Sequence, residues 1–274
     1  MRVKVGDHTL SLSNLDKELY PDGTTKAEVI DYYTRLAPVL LPHLAGREVT
    51  RIRFPDGADR EGFFEKQAPQ GVPRWVKTSP DGLIVCEDLP TLVWLANLAA
   101  LELHTPQWRL GDKPDRIVFD LDPGEPAGLE ECRAVALALR DRLASDGIEA
   151  FPKTSGKKGM QVTCSANGSA NGSAKGVDPR AIAAEFAKAA PDLITDVMEK
   201  RLRPGKVFID WSQNNPYKTT ICVYSLRAGR TPTVSAPVTW DEVADADFTA
   251  ADLTLHTVPQ RIAEFGDLHA GLLT

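Results

Sequence analysis

The sequence predicts an α+β fold, in which short apolar strands form a sheet core with helices interspersed among them. Segments with the apolar spacing of helices are intermixed with short β-branched segments along the chain. Two of the β-branched segments, Arg116–Asp122 and Val207–Trp211, are nearly continuous apolar runs that lead to aspartates. The content of 42% hydrophobic and 26% charged residues is ordinary for a globular protein.

Two helices are predicted in the N-terminal part of the chain. Lys26–His43 has apolar residues at helical spacing, and Thr25 with Glu28 forms a capping-box signature at its start. Gly46 follows the predicted end of this helix. A second helix is predicted at Thr91–Leu103, where nearly every residue is apolar, so we expect that helix to be buried.

The remaining elements alternate between the two types. They are a strand at Arg116–Asp122, a helix at Leu129–Leu143, a strand at Ala150–Thr154, a helix at Pro179–Lys200, and strands at Val207–Trp211 and Lys218–Tyr224. The acidic tail at Thr239–Asp267 ends in a helical pattern. A Gly/Ser/Ala/Asn-rich stretch at 165–176 contains a duplicated SANG unit, which predicts a flexible surface loop rather than a domain linker.

Charge and hydrophobicity limit the classes of function. The formal net charge of −6 argues against indiscriminate nucleic-acid binding, although a locally basic cleft can still bind DNA. No apolar run approaches the roughly 20 residues that span a bilayer, and the N-terminal residues lack the apolar core of a signal peptide. We therefore expect a cytoplasmic protein with no membrane partner.

The cysteines give no sign of a metal site. Cys86, Cys132, Cys164 and Cys222 are scattered, with no CxxC or Cys/His ligand spacing. This pattern predicts reduced thiols and no zinc.

A basic and aromatic segment lies between Arg51 and Lys77. Its charged and ring-bearing members are Arg51, Arg53, Arg60, Lys66, Arg74, Lys77, Phe54, Phe63, Phe64 and Trp75. Basic residues that neutralise phosphates, interleaved with rings that stack on bases, are typical of a surface for single strands or DNA ends. A solvated face beside core aromatics explains the same composition equally well.

Three aspartates are the strongest chemical signal. Asp120 and Asp122 lie two residues apart on a predicted strand, so their carboxylates project to the same side. Pro123 and Gly124 end that strand, and Asp210 ends a second apolar strand. Closely placed carboxylates need a cation, and such oxygen ligands favour Mg²⁺ or Mn²⁺. Two-metal nucleotidyl transfer uses this kind of set, but each aspartate could also merely cap a turn.

The segment KTSGKKGMQV, at Lys153–Val162, connects two strand-like pieces. Its glycines allow backbone N–H groups to approach phosphates, and its lysines supply positive charge. It is not a Walker A loop, because the GK[ST]-to-helix context is missing. Taken alone, it could be a simple glycine hairpin with exposed lysines.

Together these segments resemble a known family. TSGKKG follows a DLDP strand, and FIDWSQN, KTT and YSLR come after it in that order. Further matches are LDKELYP, GTTK, GFFEKQ and ALELHTPQW. They resemble the archaeo-eukaryotic primase superfamily, and within it the polymerase domain of bacterial DNA ligase D and its stand-alone actinobacterial relatives, Prim-PolC. The resemblance extends from about Leu10 to Ala236.

The resemblance implies one primase-polymerase domain over residues 1–274, with an RRM-like catalytic sheet and two sub-modules flanking an active-site cleft. It makes Asp120, Asp122 and Asp210 the catalytic residues and the ligands of two Mn²⁺ or Mg²⁺ ions. It implies that NTP or dNTP is bound by His104, Ser155, Lys158, Gln161, Gln213, Lys218 and Arg227. Gln213 matches the residue near the sugar, where the family tolerates or prefers ribonucleotides.

The resemblance also implies a DNA-binding set: Lys17, Lys26, Arg53, Phe63 and Phe64. Lys17 and Lys26 match lysines that bind a 5′-phosphate on the downstream strand, while Phe63 and Phe64 match a pair that stacks against the template at a gap. Lysines are point charges that suit phosphate, and adjacent rings can act as a stacking wedge. The implied location is bacterial, cytoplasmic and nucleoid-associated.

The sequence departs from the family pattern at three places. Gln161 replaces a histidine; it can donate a hydrogen bond to phosphate but carries no charge, which Lys157 could supply instead. Ile52 replaces a lysine near the template-binding segment, although Arg51 and Arg53 flank it. The segments 68–89 and 109–115 are shorter than the loops that help two DNA ends meet. The short loops favour filling of short gaps on one DNA molecule over the joining of two ends.

The expected function is therefore a DNA-dependent DNA/RNA polymerase that fills short gaps in DNA repair and favours ribonucleotides. We expect a monomer that acts on gapped or end DNA bearing a 5′-phosphate, with an ATP-dependent DNA ligase as a separate chain. Two alternatives are open: a non-catalytic module that binds DNA ends or gaps, suggested by Gln161, and a haloacid-dehalogenase-like phosphatase with Asp120 as nucleophile and Asp122 as acid/base.

Overall fold

The computed structural model describes residues 1–166 and 176–273. Its strands and helices, in chain order, are β1 Arg2–Val5, β2 His8–Ser11, α1 Lys26–Leu44, β3 Glu48–Arg53, β4 Phe63–Glu65, β5 Ile84–Val85, α2 Leu89–Asn97, β6 Ala100–Thr105, β7 Arg116–Pro123, α3 Leu129–Ser145, β8 Ala150–Thr154, β9 Met160–Ser165, α4 Pro179–Ala189, β10 Ile194–Thr195, β11 Val207–Asp210, β12 Thr220–Ile221, α5 Trp240–Ala244 and α6 Val258–Phe265. Most of the loop predicted at 165–176 lies outside the described residues.

Two five-stranded sheets organise these elements, which confirms the α+β prediction. The first sheet has the order β10-β11-β7-β9-β8, and the second has the order β12-β6-β3-β4 with β5 paired to β3. In the first sheet all neighbours are antiparallel except β10 and β11. Helix α3 contacts β7, β8, β9 and β11, so it packs across one face of this sheet. A separate hairpin is formed by β1 and β2.

Helix α1 is hydrogen-bonded to two segments that are distant from it in the sequence. The predicted capping box is confirmed: the Thr25 side chain accepts from the Glu28 backbone N–H, and the Glu28 carboxylate accepts from the Thr25 N–H. On the buried face of the helix, Tyr32 donates to the Tyr224 carbonyl at 2.8 Å, and Tyr33 donates to the Leu101 carbonyl at 2.6 Å. These bonds satisfy buried hydroxyl groups and tie α1 to segments that flank the cleft described below.

The helix predicted at Thr91–Leu103 is wrong in its second half. Helix α2 ends at Asn97, Ala99 adopts a left-handed backbone conformation with φ +59, and β6 begins at Ala100. An almost continuously apolar run carries no period that separates a buried helix from a buried strand. Pairing of β6 with both β3 and β12 decides the matter in favour of a strand.

Two further elements are shorter in the structure than the sequence predicts. The helix predicted at Pro179–Lys200 ends at Ala189, since Pro191 cannot continue the backbone hydrogen bonding; β10 and a 3-10 turn at Lys200–Leu202 follow it. The strand predicted at Lys218–Tyr224 is reduced to Thr220–Ile221. The predicted strands at β7, β8 and β11 and the predicted helix at α3 are confirmed within about two residues.

All four cysteines are buried and free. Among the described residues, no helix is both long and apolar enough to cross a membrane.

Candidate active site

A row of polar side chains crosses the first sheet at its center. Asp120 of β7 is paired with Asp210 of β11 on one side and with Gln161 of β9 on the other. Gln161 is paired in turn with Lys153 of β8. Because directly paired residues project to the same face of a sheet, these four side chains form one row. Asp122 lies two residues beyond Asp120 on the same strand and therefore shares that face.

The side-chain amide groups of two glutamines donate hydrogen bonds to two of the carboxylates. Gln161 Nε2 donates to Asp120 Oδ1 at 3.0 Å, and Gln213 Nε2 donates to Asp210 Oδ2 at 2.8 Å. The Ser212 backbone N–H donates to the other oxygen of Asp210 at 3.0 Å. Asp210 is therefore oriented by the 3-10 turn at residues 211–214 that follows it directly.

Cations approach the outer carboxylates. Lys218 Nζ lies 3.7 Å from Asp210 Oδ2 and 2.5 Å from the Ser212 hydroxyl. Arg203 Nη1 lies 4.0 Å from Asp122 Oδ2, and its guanidinium carbon lies 3.8 Å from the centroid of the Phe208 ring on β11. The acids are thus only partly neutralised by the side chains of the protein.

The electrostatic cost of this arrangement is visible at Asp120. Burial and the negative charges of Asp122 and Asp210 together raise the pKa of Asp120 to about 7, against the hydrogen bond from Gln161 and the charge of Lys153. Burial also raises the pKa of Asp122, opposed by Arg203. Neighbouring carboxylates that repel one another are stabilised by a divalent cation, so the oxygen donors fit Mg²⁺ or Mn²⁺.

A complete metal-ligand set is not assembled in the described residues. Within residues 1–166 and 176–273, no group of three or more His, Cys, Asp or Glu side chains is arranged to hold a metal ion. The metal-binding role of Asp120, Asp122 and Asp210 remains a prediction, although all three lie on paired strands of one sheet.

The carboxylate row opens into a cleft of about 630 Å³. The cleft is lined by Asp120, Asp122 and most of the predicted nucleotide-binding set, namely His104, Ser155, Lys158, Gln161, Gln213 and Arg227. Lys157 and residues 219–221 complete much of its wall. Asp210 and Lys218 are not among the residues that line the cleft; Asp210 accepts from Gln213, and Lys218 donates to the Ser212 hydroxyl.

The predicted phosphate loop is the connection between β8 and β9. The Ser155 hydroxyl accepts from the backbone N–H groups of Lys157, at 3.2 Å, and Gly159, at 3.1 Å. Gly156 has φ +71, and a Cβ there would lie 2.5 Å from Arg227 Cγ, so the loop approaches Arg227 as closely as a glycine permits. Lys158 Nζ contacts Glu125 rather than the interior of the cleft.

Glu102 was missed by sequence reasoning. It is 2% exposed on β6, and its carboxylate contacts the backbone N–H of Ala228 at 3.0 Å and His104 Nε2 at 3.1 Å. Lys157 Nζ and Arg227 Nε each lie 3.5 Å from Glu102 Oε1. Burial alone would raise the pKa of Glu102, but the hydrogen bond from His104 and the nearby cations lower it to about 2. The alternation in ALELH would have revealed Glu102 and His104 as neighbours if this segment had been predicted as a strand.

Lys153 is the second missed residue. It is 4% exposed at the end of the polar row, and its ammonium donates to the Ser235 hydroxyl at 2.6 Å and to the Ile221 carbonyl at 3.2 Å. Burial lowers the pKa of Lys153 to about 7, opposed by the charge of Asp120. The predicted histidine, His104, is likewise buried, which lowers its pKa in spite of the bond to Glu102.

A second, smaller cavity collects the predicted DNA-binding cations. Lys17, Lys26 and Arg53 all line a cavity of about 240 Å³. Burial lowers the pKa of Lys26, and the charges of Lys17 and Arg53 lower it further, so the three cations are close enough to repel one another. Lys26 Nζ donates to the Ser13 carbonyl at 2.7 Å, and Lys17 Nζ lies 3.9 Å from an oxygen of Asp56.

The predicted stacking pair is exposed, whereas part of the surrounding basic and aromatic segment is structural. Phe63 and Phe64 of β4 are 52% and 59% exposed, an unusual exposure for two adjacent rings. Arg51 is instead buried and forms an ion pair with Glu65, and Phe54 belongs to the core. Phe54 is therefore a core aromatic, whereas the DNA-binding role of Phe63 and Phe64 stays a prediction.

Comparison with known proteins places the chain in a family. The model of the LigD primase-polymerase domain matches residues 25–269. The chain belongs to this family. The polymerase domain of Mycobacterium tuberculosis ligase D, solved in complex with DNA, superposes with a TM-score of 0.87 at 40% identity, covering 96% of this chain and 98% of that one. The LigD membership confirms the resemblance and removes the phosphatase alternative.

Curated LigD proteins are similar over nearly the whole chain. The multifunctional non-homologous end joining protein LigD of Mycolicibacterium smegmatis is 44% identical over 273 residues, which are 95% of this chain. The bifunctional LigD of Bacillus subtilis is 37% identical over 263 residues, or 94% of this chain. The chain spans 36% and 43% of the lengths of these two relatives, respectively.

Proposed function

We propose that this chain is a DNA-dependent polymerase of the primase-polymerase type, which adds nucleotides at short gaps during DNA repair. The observation that carries the proposal is the pairing of Asp120 with Asp210 in register, with Asp122 on the same face, beside a cleft rimmed by cations. The solved relative with DNA and the end-joining names of the curated relatives support DNA as the substrate and repair as the setting.

The proposed chemistry divides between acidic and basic walls of the cleft. Asp120, Asp122 and Asp210 would hold Mn²⁺ or Mg²⁺, which when bound supplies positive charge at the attacking hydroxyl and the leaving group. Gln161 and Gln213 keep the Asp120 and Asp210 carboxylates in fixed orientations through the hydrogen bonds described above.

The basic wall would bind the triphosphate of an incoming NTP or dNTP. His104, Ser155, Lys158 and Arg227 line it, and Lys218, which contacts Ser212 and Asp210, would add positive charge nearby. Gln213 lines the same cleft and donates to Asp210, and in this proposal it contacts the sugar of the nucleotide, where the family tolerates or prefers ribonucleotides.

The DNA-binding proposal rests on the second cavity and the exposed ring pair. Lys17, Lys26 and Arg53 would bind the 5′-phosphate of the downstream strand, and Phe63 with Phe64 would stack against the template at the gap. We propose gap filling by a monomer on one DNA molecule, with ligation carried out by an ATP-dependent ligase on a separate chain.

Nucleotide incorporation on defined templates tests this function. We expect Mn²⁺-dependent addition of one or a few nucleotides across a gap with a 5′-phosphate, more with NTPs than with dNTPs, and less on overhanging or unprimed templates. Binding of gapped DNA without any incorporation would leave the non-catalytic module as the correct function.

Substitution of both Lys17 and Lys26 by alanine is expected to remove the preference for 5′-phosphorylated gaps. Each phosphate contact contributes roughly one unit to the slope of log K against log salt, so the slope should fall by about two units. Fluorescence anisotropy with phosphorylated and unphosphorylated gaps, at several salt concentrations, measures both quantities. An unchanged slope would show that these lysines are solvated surface residues.

Mn²⁺ is expected to raise the melting temperature of the protein more at pH 8 than at pH 6. The pKa of Asp120 is raised from 3.8 to about 7 in the folded protein, so the folded state holds a proton there that the unfolded chain releases. The ionised carboxylate therefore destabilises the metal-free fold progressively as the pH rises through this window. Bound Mn²⁺ needs the ionised form and offsets this cost at high pH.

Thermal denaturation with and without Mn²⁺ measures this effect. Asp120→Asn provides the control, because it keeps the size of the side chain and removes the titration. Equal Mn²⁺-induced shifts at both pH values, or shifts retained in Asp120→Asn, would contradict metal binding by this carboxylate.

A further inference from the structure

Two adjacent lysines of the phosphate loop point to different ends of the cleft. Lys158 Nζ contacts Glu125, which lies just beyond the end of β7 and close in sequence to Asp122. Lys157 Nζ instead lies 3.5 Å from Glu102, at the basic end of the cleft. The two side chains therefore serve different regions, and Lys157 lies nearer to the nucleotide-binding cations than Lys158 does.

Glu102 brings two cations and a histidine together. Its buried carboxylate lies within 3.5 Å of Lys157 Nζ, Arg227 Nε and His104 Nε2, and all three of these side chains line the cleft. A buried carboxylate offsets the mutual repulsion of cations that would otherwise separate. The basic end of the cleft is thus assembled around one acidic group.

The cations keep donors available for a ligand. The 3.5 Å contacts of Lys157 and Arg227 with Glu102 lie at the outer limit for a hydrogen bond. In the part of the chain that the structure describes, Arg227 Nε is buried and has no hydrogen-bond partner. A buried donor that is left unpaired is costly, so an anion in the cleft would satisfy it.

Gln161 cannot supply the positive charge of the family histidine that it replaces. Its Nε2 group donates to Asp120, and the residue is 3% exposed and neutral. Lys157 is a flexible cation with its side chain 48% exposed, and it can reach a ligand without first breaking a close hydrogen bond.

We propose that Lys157 binds the phosphates of the incoming nucleotide, and that Glu102 is the residue that positions it alongside Arg227 and His104. This inference rests on the proposed polymerase function and adds to it a binding residue and a positioning residue. The ligand class is a polyphosphate, since two cations and a neighbouring histidine converge there and match several anionic oxygens rather than one.

Steady-state incorporation on a gapped template tests the role of Lys157. We expect Lys157→Ala to raise the KM for NTP about tenfold, the size of one charged hydrogen bond, and to change kcat by less than about threefold. Lys157→Arg should recover most of the loss. Lys188→Ala, at an exposed lysine of α4, is the matched control and should behave as the wild type.

Inhibition by inorganic tripolyphosphate at constant free Mn²⁺ separates phosphate binding from recognition of the base and sugar. The inhibition constant should rise in Lys157→Ala in parallel with KM. A wild-type KM and a wild-type inhibition constant in Lys157→Ala would overturn the inference while leaving the polymerase function intact. Absence of incorporation by the wild-type protein would instead overturn the proposed function.

A double-mutant cycle tests the positioning role of Glu102. Glu102→Gln keeps the size of the side chain and an oxygen for the Ala228 N–H but removes the charge that holds Lys157. If Glu102 positions Lys157, then Lys157→Ala should raise KM by less than about threefold in the Glu102→Gln background, instead of about tenfold. The same increase in both backgrounds would show that Glu102 does not position Lys157.

Discussion

Replacing both Asp120 and Asp122 with alanine is expected to reduce nucleotide addition at least about a thousandfold, while gapped-DNA affinity stays within about twofold. Removal of electrostatic stabilisation at a reacting phosphate costs factors of this order or more. The DNA-binding cations Lys17, Lys26 and Arg53 line a different cavity from the two aspartates, so DNA affinity should not depend on the acids.

A matched control is available within the chain. Asp245 and Asp247 have the same two-residue spacing but are exposed beyond α5. Their double alanine variant should add nucleotides at the wild-type rate. Measurable polymerisation by the Asp120 and Asp122 double variant, near the rate of this control, would show that the acids are not the catalytic residues.

The same double variant should not lose stability in metal-free buffer. Asp120 is half-buried beside Asp122, and both this burial and the negative charge of Asp122 raise the pKa of Asp120. Removal of both groups relieves this repulsion, so the melting temperature at pH 8 should equal or exceed that of the wild type. Active-site residues often lower the stability of the folded protein. A retained melting temperature would exclude unfolding as the cause of lost activity.

Gly159→Ala is expected to lower the melting temperature by roughly 5–10 °C and to abolish most nucleotide addition. A Cβ at this position would lie 2.2 Å from the Leu121 carbonyl oxygen. Leu121 stands between Asp120 and Asp122 on β7, and it is paired with Met160, the residue after Gly159. Backbone atoms cannot move aside as a flexible side chain would, so β7 and β9 must separate there and displace the carboxylates.

Thermal denaturation and gap-filling assays measure the two effects. Gly176→Ala is a suitable control because, beyond its immediate neighbours, no atom of the described residues lies within 4 Å of the position its Cβ would occupy. Wild-type stability and activity in Gly159→Ala would mean that the loop and β7 are less closely packed than the structure shows.

Local sequence signals were enough to predict the helices and strands whose defining pattern lies within a few consecutive residues. The capping box of α1, the β-branched run of β7 and the paired strands around the Lys153–Val162 loop are examples. The two-residue spacing of Asp120 and Asp122 likewise places them on one face of a strand without any knowledge of the rest of the fold. The family resemblance extended these signals to the individual site residues.

Tertiary structure decided the features that depend on distant parts of the chain. The segment containing Glu102 has no period that marks it as a strand, and pairing with β3 and β12 makes it one. Arg51 lies in a basic stretch yet is buried, because Glu65 on the adjacent strand neutralises it.

Two further features arise only when separate strands come together. They are the different carboxylate contacts of Lys157 and Lys158, and the row formed by Lys153, Gln161, Asp120 and Asp210. Residue type and spacing along the chain determine which groups one strand presents to a face. Burial and partner charge, which set the pKa values and orientations of those groups, come from long-range packing that a sequence pattern does not contain.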